Sequence, residues 1–284
     1  DSQNMSGSNP FTLVDPENNV VACWERYNAG TGKMEIMVSK REDNTPHTGH
    51  EWHKYNNSAN NNEPVEVFHS FAANPDFQSY PKVFSVATRN SSGVVNTFED
   101  FVTLVVHLEP YPDANSSTKR LIVTGKTGSQ FRDYVIDEGN ITDISVTAPI
   151  NVRKKFSMHF AYIKDNEVHY KQVILGADII TGGNLLFIDM VNGESNIVST
   201  SDGMQSRITP DISLRNNRPV ITYRGYFVSN RYVEYPGNAE GTQLLSIYHY
   251  PVIVKTRNLN GWDSFITYDG STQQEEPNIE GSMN

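Results

Sequence analysis

The densest group of potential metal ligands is His47-Thr48-Gly49-His50-Glu51-Trp52-His53, which sets three imidazoles and a carboxylate within seven residues. Imidazole with carboxylate suits zinc or copper, and such a site would be built from His47, His50 and His53. No helical period aligns these side chains on one face, so the segment reads as a polar loop and no cofactor is expected. Glu25 and Glu109 are the candidates for a catalytic carboxylate pair. Each lies at the end of an apolar run, and a glycosidase needs two carboxyls about 5–5.5 Å apart to retain configuration, or further apart to invert it. The third group is aromatic and basic: Tyr226, Tyr232 and Tyr235 with Arg224 and Arg231. Tyrosine offers a flat apolar ring with a hydroxyl at its edge, so a cluster can stack on sugar rings or peptide planes and hydrogen-bond their polar groups. Arginine clamps carboxylates and sulfates bidentately, which makes Arg207, Arg224, Arg231 and Arg257 candidates for an anionic ligand. Phosphate-loop glycines, a Gly-x-Ser-x-Gly elbow and an EF-hand acidic loop do not occur.

Composition narrows the setting. The chain has 284 residues, 37% hydrophobic, 20% charged and 11% aromatic, with a net charge of −10. That balance describes a folded globule, not a disordered chain. The negative charge argues against binding a phosphate backbone, which needs a basic stripe, so no nucleic-acid partner is expected. The longest apolar stretches are about six residues, against the roughly 20 needed to cross a bilayer as a helix, so no membrane insertion is expected. The single cysteine, Cys23 in Val20-Val21-Ala22-Cys23-Trp24, excludes an internal disulfide and reads as a small buried hydrophobe. The chain begins at Asp1 with no apolar leader, the expectation for a processed form or an excised piece.

The elements that must position these residues follow a repeat. Asn9-Pro10-Phe11, Tyr80-Pro81-Lys82-Val83, Ala148-Pro149-Ile150, Thr209-Pro210-Asp211-Ile212 and Glu276-Pro277-Asn278-Ile279 place prolines 71, 68, 61 and 67 residues apart. Proline is tolerated at the first residue of a strand, where a missing N–H costs little. After each of the first four comes a β-rich run (20–26, 101–109, 156–163, 220–224), then a second (34–40, 119–125, 167–174, 247–257) and a third (51–55, 131–136, 185–190, 262–268). Alternation supports strands: Met34, Ile36 and Val38 recur at period two. Asp165-Asn166 reads as a two-residue hairpin turn that sets Tyr162 opposite His169 and points His159 to the other side of the sheet.

Four successive four-stranded antiparallel units are the signature of β-propeller blades. The expectation is an all-β propeller with blades at about 9–72, 73–140, 141–203 and 204–270. Residues 271–284 would open a fifth blade, the chain being part of a larger ring completed by residues of the same or another chain. In this geometry the second-to-third strand loops emerge on one face with Glu25, Arg26, Glu109, Lys164 and Arg224. The longest of them, from Gly225 to Leu245, carries the tyrosines, and loops beyond about 12 residues are commonly functional.

Asn9-Pro10 through Val20-Val21-Ala22-Cys23-Trp24-Glu25-Arg26, then Lys33-Met34-Glu35-Ile36-Met37-Val38, resembles the sialidase-like (BNR-type) propeller repeats of secreted bacterial surface proteins. The Asp-box, Ser-x-Asp-x-Gly-x-x-Trp, is absent; Ser199-Thr200-Ser201-Asp202-Gly203 is a partial echo without the Trp, so sialidase chemistry is not carried over. The resemblance implies an extracellular or cell-surface protein. The leading expectation is a binding or adhesion module presenting its aromatic loop face to a carbohydrate or protein partner. A sialidase-like glycoside hydrolase or lyase, and a structural propeller in a surface or secretion assembly, are the alternatives.

Overall fold

A computed structural model describes residues 7–14, 20–41, 52–54, 66–87, 101–127, 130–148, 155–179, 185–200, 202–233 and 243–267. Within them every regular element is a strand, and the strands form four consecutive antiparallel sheets. The first contains β1 (Ser8–Val14), β2 (Val20–Asn28), β3 (Lys33–Arg41), β4 (Trp52–Lys54) and β5 (Glu66–Ala72). The second contains β6 (Lys82–Ala87), β7 (Phe101–Pro110), β8 (Lys119–Thr127) and β9 (Gln130–Gly139), and the third β10 (Ile141–Thr147), β11 (Lys155–Lys164), β12 (Glu167–Ile179) and β13 (Leu185–Ile197). The fourth contains β14 (Ser206–Arg215), β15 (Arg218–Val233), β17 (Val252–Arg257) and β18 (Trp262–Thr267), with β16 (Gln243–His249) attached to the far half of β15.

Apart from β5, which pairs with β3, and β16, which pairs with β15, each sheet runs through its strands in chain order, and neighbouring sheets pack face to face as propeller blades do. Val21, Cys23, Ile36, Val38, Phe68 and Phe71 of the first sheet meet Val83 and Val105 of the second. On the other side of the second sheet, Leu104, Val106, Leu108, Leu121 and Val123 meet Ile141, Ile144, Met158, Phe160 and Tyr162 of the third. Ala161, Ile163, Val168 and Tyr170 then meet Ile212, Ile221, Tyr223 and Ile253 of the fourth. Because β7 and β11 are covered on both faces, they read as nearly unbroken apolar runs where a half-exposed strand would alternate. Burying each large aromatic, such as Tyr162, Tyr170 or Tyr223, contributes roughly 1.5–3 kcal/mol.

The repeat marks a backbone device at the start of each blade. Asn9, Tyr80 and Thr209, each just before a proline, adopt left-handed φ of 51°, 49° and 48°. The pairing shifts at that point between Ser8 and Phe11 and between Ile208 and Asp211, a β-bulge. In the second blade Leu108 N donates to Ser79 O at 2.8 Å across the same step. The third blade departs from the expected pattern: its first strand, β10, has its shift between Ile141 and Asp143 and ends before Ala148-Pro149. That dipeptide therefore follows the strand it was expected to open. Asp165 and Asn166 take φ of 51° and 65°, as a tight hairpin requires, and Tyr162 pairs with His169 as expected.

Two further corrections concern strand number. The outer edge of the first blade is built from two pieces, β4 and β5, both paired to β3, and β5 had no counterpart in the sequence reading. The span 247–257, expected as one strand, is two, since β16 ends at His249 and β17 begins at Val252 on either side of Tyr250-Pro251. The stretch 271–284, expected to open a fifth blade, lies outside the described residues. Among the described residues no apolar cluster joins the fourth sheet to the first.

Candidate functional site

The segment expected as a long loop after Arg224 is a two-stranded arm. β15 runs past the body of the fourth blade, and its far half, Phe227–Val233, pairs with Gln243–His249 of β16. Gly225 is where the strand leaves the blade. A Cβ there would lie 2.5 Å from Met204 Sδ and 2.8 Å from Ile253 Cδ1, so any larger residue would force those side chains to shift. Its N–H donates to Pro251 O at 2.9 Å, and Gln205 N donates to Tyr226 O at 2.7 Å, fastening the root of the arm on both sides.

Strand alternation sorts the arm into two faces. On one, Tyr226 packs against Tyr250 at 5.3 Å between ring centroids and against Tyr248 at 6.1 Å with planes 21° apart. Tyr248 and Tyr250 remain 38% and 52% exposed. On the other face Phe227 stacks on His249 at 4.4 Å and 9°, and His249 Nε2 lies 2.7 Å from Ser229 Oγ. The arm is thus a stiff ribbon carrying an open aromatic surface. Of the residues named from sequence, Tyr226 belongs to this surface and Arg224 is exposed beside it, opposite Ile208. Arg231 and Tyr232 lie on β15 opposite Leu245 and Leu244, with side chains outside the described set, and Tyr235 lies outside the described residues. In the sequence reading Tyr248 and Tyr250 stand beside the Tyr-rich segment but fall in one strand, 247–257, and not in the contact surface; the signal available was the Tyr-His-Tyr-Pro sequence, whose proline separates β16 from β17.

The remaining arginine candidates do not converge on a ligand. The Arg207 side chain is 7% exposed and faces Asp202, 1% exposed, at 2.5 Å. Arg207 also donates to Asn166 O at 3.0 Å, and its Nε reaches Asp202 Oδ2 at 3.0 Å. Tyr223 OH donates to Asp202 Oδ2 at 2.8 Å and Met204 N to Oδ1 at 2.9 Å. Burial opposes ionisation of Asp202, but Arg207, the Met204 N–H and the Tyr223 hydroxyl outweigh it and hold the carboxyl below its ordinary range. The partial Asp-box therefore serves as a latch between the third and fourth blades. Arg257 is held at the other end of the same seam, donating to Asn258 O and Gly261 O at 2.6 and 2.9 Å, with Glu194 at 2.8 Å.

The two carboxylates named from sequence sit in the first seam in different states. Glu25 is buried and receives Ser8 Oγ at 2.8 Å, Asn9 Nδ2 at 2.6 Å, Ser79 N at 2.6 Å and the Ser79 hydroxyl. Its oxygens are thus occupied by donors that tie β2 to the segment leading into the second blade. Glu109 Oε1 lies 2.5 Å from His69 Nε2 and 3.0 Å from His107 Nε2. Burial raises the Glu109 pKa, but the hydrogen bonds and charges of His107 and His69 prevail and bring it down to about 2. A general acid needs a raised pKa, so Glu109 is disposed as an ionised acceptor. His47 and His50 lie outside the described residues, and His53 is on β4 with its side chain outside the described set.

No protein-family model matches the chain, and no curated protein matches it. Among solved structures it is similar to the Penicillium chrysogenum alpha-L-arabinanase complexed with arabinobiose, at 13% identity and a TM-score of 0.48, over 94% of this chain and 68% of that chain. A likeness at that level carries no statement about activity or ligand.

Proposed function

We propose that this chain is the binding module of an extracellular or cell-surface protein, and that the aromatic face of the fourth-blade arm is its contact surface for carbohydrate. The observation that carries the reading is the cluster of Tyr226, Tyr248 and Tyr250 on one face of a hydrogen-bonded ribbon, with two of the rings open to solvent. Rings held in place before contact lose little freedom on binding, and their hydroxyl edges can satisfy sugar hydroxyls. The charge of −10 and the internal pairing of Arg207 and Arg257 favour a neutral glycan over a sulfated or carboxylated one. The likeness of the repeat to those of secreted bacterial surface proteins supports the surface placement.

A glycan array carrying neutral and acidic oligosaccharides, followed by calorimetric titration of the ligands it identifies, tests the reading. Neutral glycans should bind, and Tyr226→Ala and Tyr250→Ala should each weaken them about five- to thirtyfold, the loss of roughly 1–2 kcal/mol of ring contact. A preference for acidic glycans, or affinity unchanged in both variants, sinks the assignment.

A further inference from the structure

We infer that His69, His107 and Glu109 form a zinc-type cation site that bridges the first and second blades. The three come from strands of different sheets: His69 from β5, His107 and Glu109 from β7. His107 and Glu109 are two residues apart on one strand, so they share the face turned toward the first blade. One potential ligand atom from each residue lies within 4.8 Å of the others. Two imidazoles and a carboxylate are the donor set that holds zinc while leaving a coordination position for water.

The surroundings fit a bound cation. Asp133 Oδ1, which accepts from Thr124 Oγ1 at 2.6 Å, stands 3.8 Å from His69 Nδ1, on the side where a carboxylate commonly supports a metal-bound imidazole. The His107 side chain is fully buried, its ring packed 5.7 Å from Phe71 and 4.8 Å from His69. Its Nδ1 has no hydrogen-bond partner among the described residues. The side chains of His69 and Glu109 are 16% and 18% exposed, so the cluster is reached from one side by solvent. Without a cation, both Nε2 atoms lie within hydrogen-bond distance of Glu109 Oε1. Coordination through Nε2 requires each imidazole to be neutral with its one ring proton on Nδ1, and for His107 that nitrogen has no partner among the described residues. Because Nδ1 then faces no described acceptor, the site is expected to bind zinc more weakly than a closed four-ligand centre.

The test is a zinc titration of the intact chain after chelator treatment, read by calorimetry, by the thermal midpoint and by imidazole 15N NMR. The expected result is one zinc per chain, a rise in Tm of about 5 °C at saturation, and shifts of the His69 and His107 ring nitrogens. His69→Gln keeps a hydrogen-bonding amide opposite Glu109 and should fold with a zinc-free Tm near that of the parent, yet bind zinc at least ~100-fold more weakly. Asp133→Asn should weaken zinc about tenfold. The inference fails if zinc leaves the ring nitrogens of His69 and His107 unshifted in the parent protein. It also fails if the response survives His69→Gln and disappears when His47, His50 and His53 are all replaced by Ala.

Discussion

The first and third blade seams close with polar groups beside an apolar interior, and they close differently. In the third seam every group of the latch is matched: Asp202 receives Arg207, Tyr223 and Met204, while Arg207 also spans to Asn166 on the β11–β12 turn. In the first seam Glu109 receives two imidazoles, and among the described residues one nitrogen of the buried His107 is left unmatched. A buried ion pair with all partners supplied is a fastening, costly to break and with nothing left to bind. An imidazole with spare bonding capacity costs less to disturb and offers a ligand something to take. Similar blade packing thus produces one latch with every group paired, although Trp262 Nε1 beside the same seam has no partner among the described residues, and one histidine–carboxylate cluster with a nitrogen to spare.

Breaking the matched seam should have the largest effect. Arg207→Ala leaves Asp202 buried without its cation and should cost about 3–5 kcal/mol in urea unfolding. The same latch sets a pH signature. The Asp202 carboxyl is held below its ordinary value of 3.8, so its contribution is fully present above that pH and is lost as pH falls through the lower folded-state value. Unfolding followed by circular dichroism across this acid range should show that loss in the parent protein and not in Asp202→Asn. Glu109→Gln, in the unmatched seam, should cost less, about 1–2 kcal/mol, because the amide still accepts from one imidazole. A loss equal to that of Arg207→Ala would erase the distinction between the seams.

The smallest expected effect separates two turns with the same backbone. Asn166 and Asn217 both have positive φ, 65° and 59°, but Asn166 Nδ2 donates to Gln205 O and its Oδ1 accepts from Arg207 N, tying its turn to the third-seam latch. Asn166→Gly should destabilise by about 1 kcal/mol through those lost bonds. Asn217→Gly should stay within about 0.5 kcal/mol of the parent, since its turn gains conformational ease in both states. Equal values would mean that the Asn166 side chain contributes nothing to the latch.

The strand order was legible because period-two alternation and the proline spacing both survive in sequence. Where β7 and β11 are covered on both faces the runs were still recognisable, as Phe101 to Glu109 and Phe156 to Ile163. The errors arose where a local signal was shared by different structures. Ala148-Pro149 has the composition of a blade opening but follows a strand, because in the third blade Thr142 and Asp143 carry the shift without a proline. Glu66 to Ala72 mixes His69 and Ser70 among aromatics, and its pairing with β3 depends on a register that spacing alone does not state. The aromatic arm was anticipated as a Tyr-rich segment after Arg224, but its pairing was hidden, since a strand that leaves its blade at Gly225 resembles a loop until its partner is known. Glu109 was found and its neighbour His69 was not, because the two are 40 residues apart and meet only when two blades pack.

The left-handed residue and proline that open the first, second and fourth blades also bear on self-association. Each blade's first strand is a sheet edge, the place where a second chain could add a strand and start aggregation. Pro10, Pro81 and Pro210 each remove a donor from that edge, and the kink before them spoils the flat register an incoming strand would need. The third blade has no proline within β10. Its edge is guarded instead by the neighbouring blade, through Ser145 Oγ donating to Asp211 Oδ1 at 2.9 Å and Ile212 N donating to Ser145 Oγ at 3.2 Å. A proline thus lies in or just before the first strand in three blades, while in the third that strand is covered by docking against the fourth. A partly folded chain whose third and fourth blades have not yet met would expose Ile141 to Thr147, the first strand that lacks this proline.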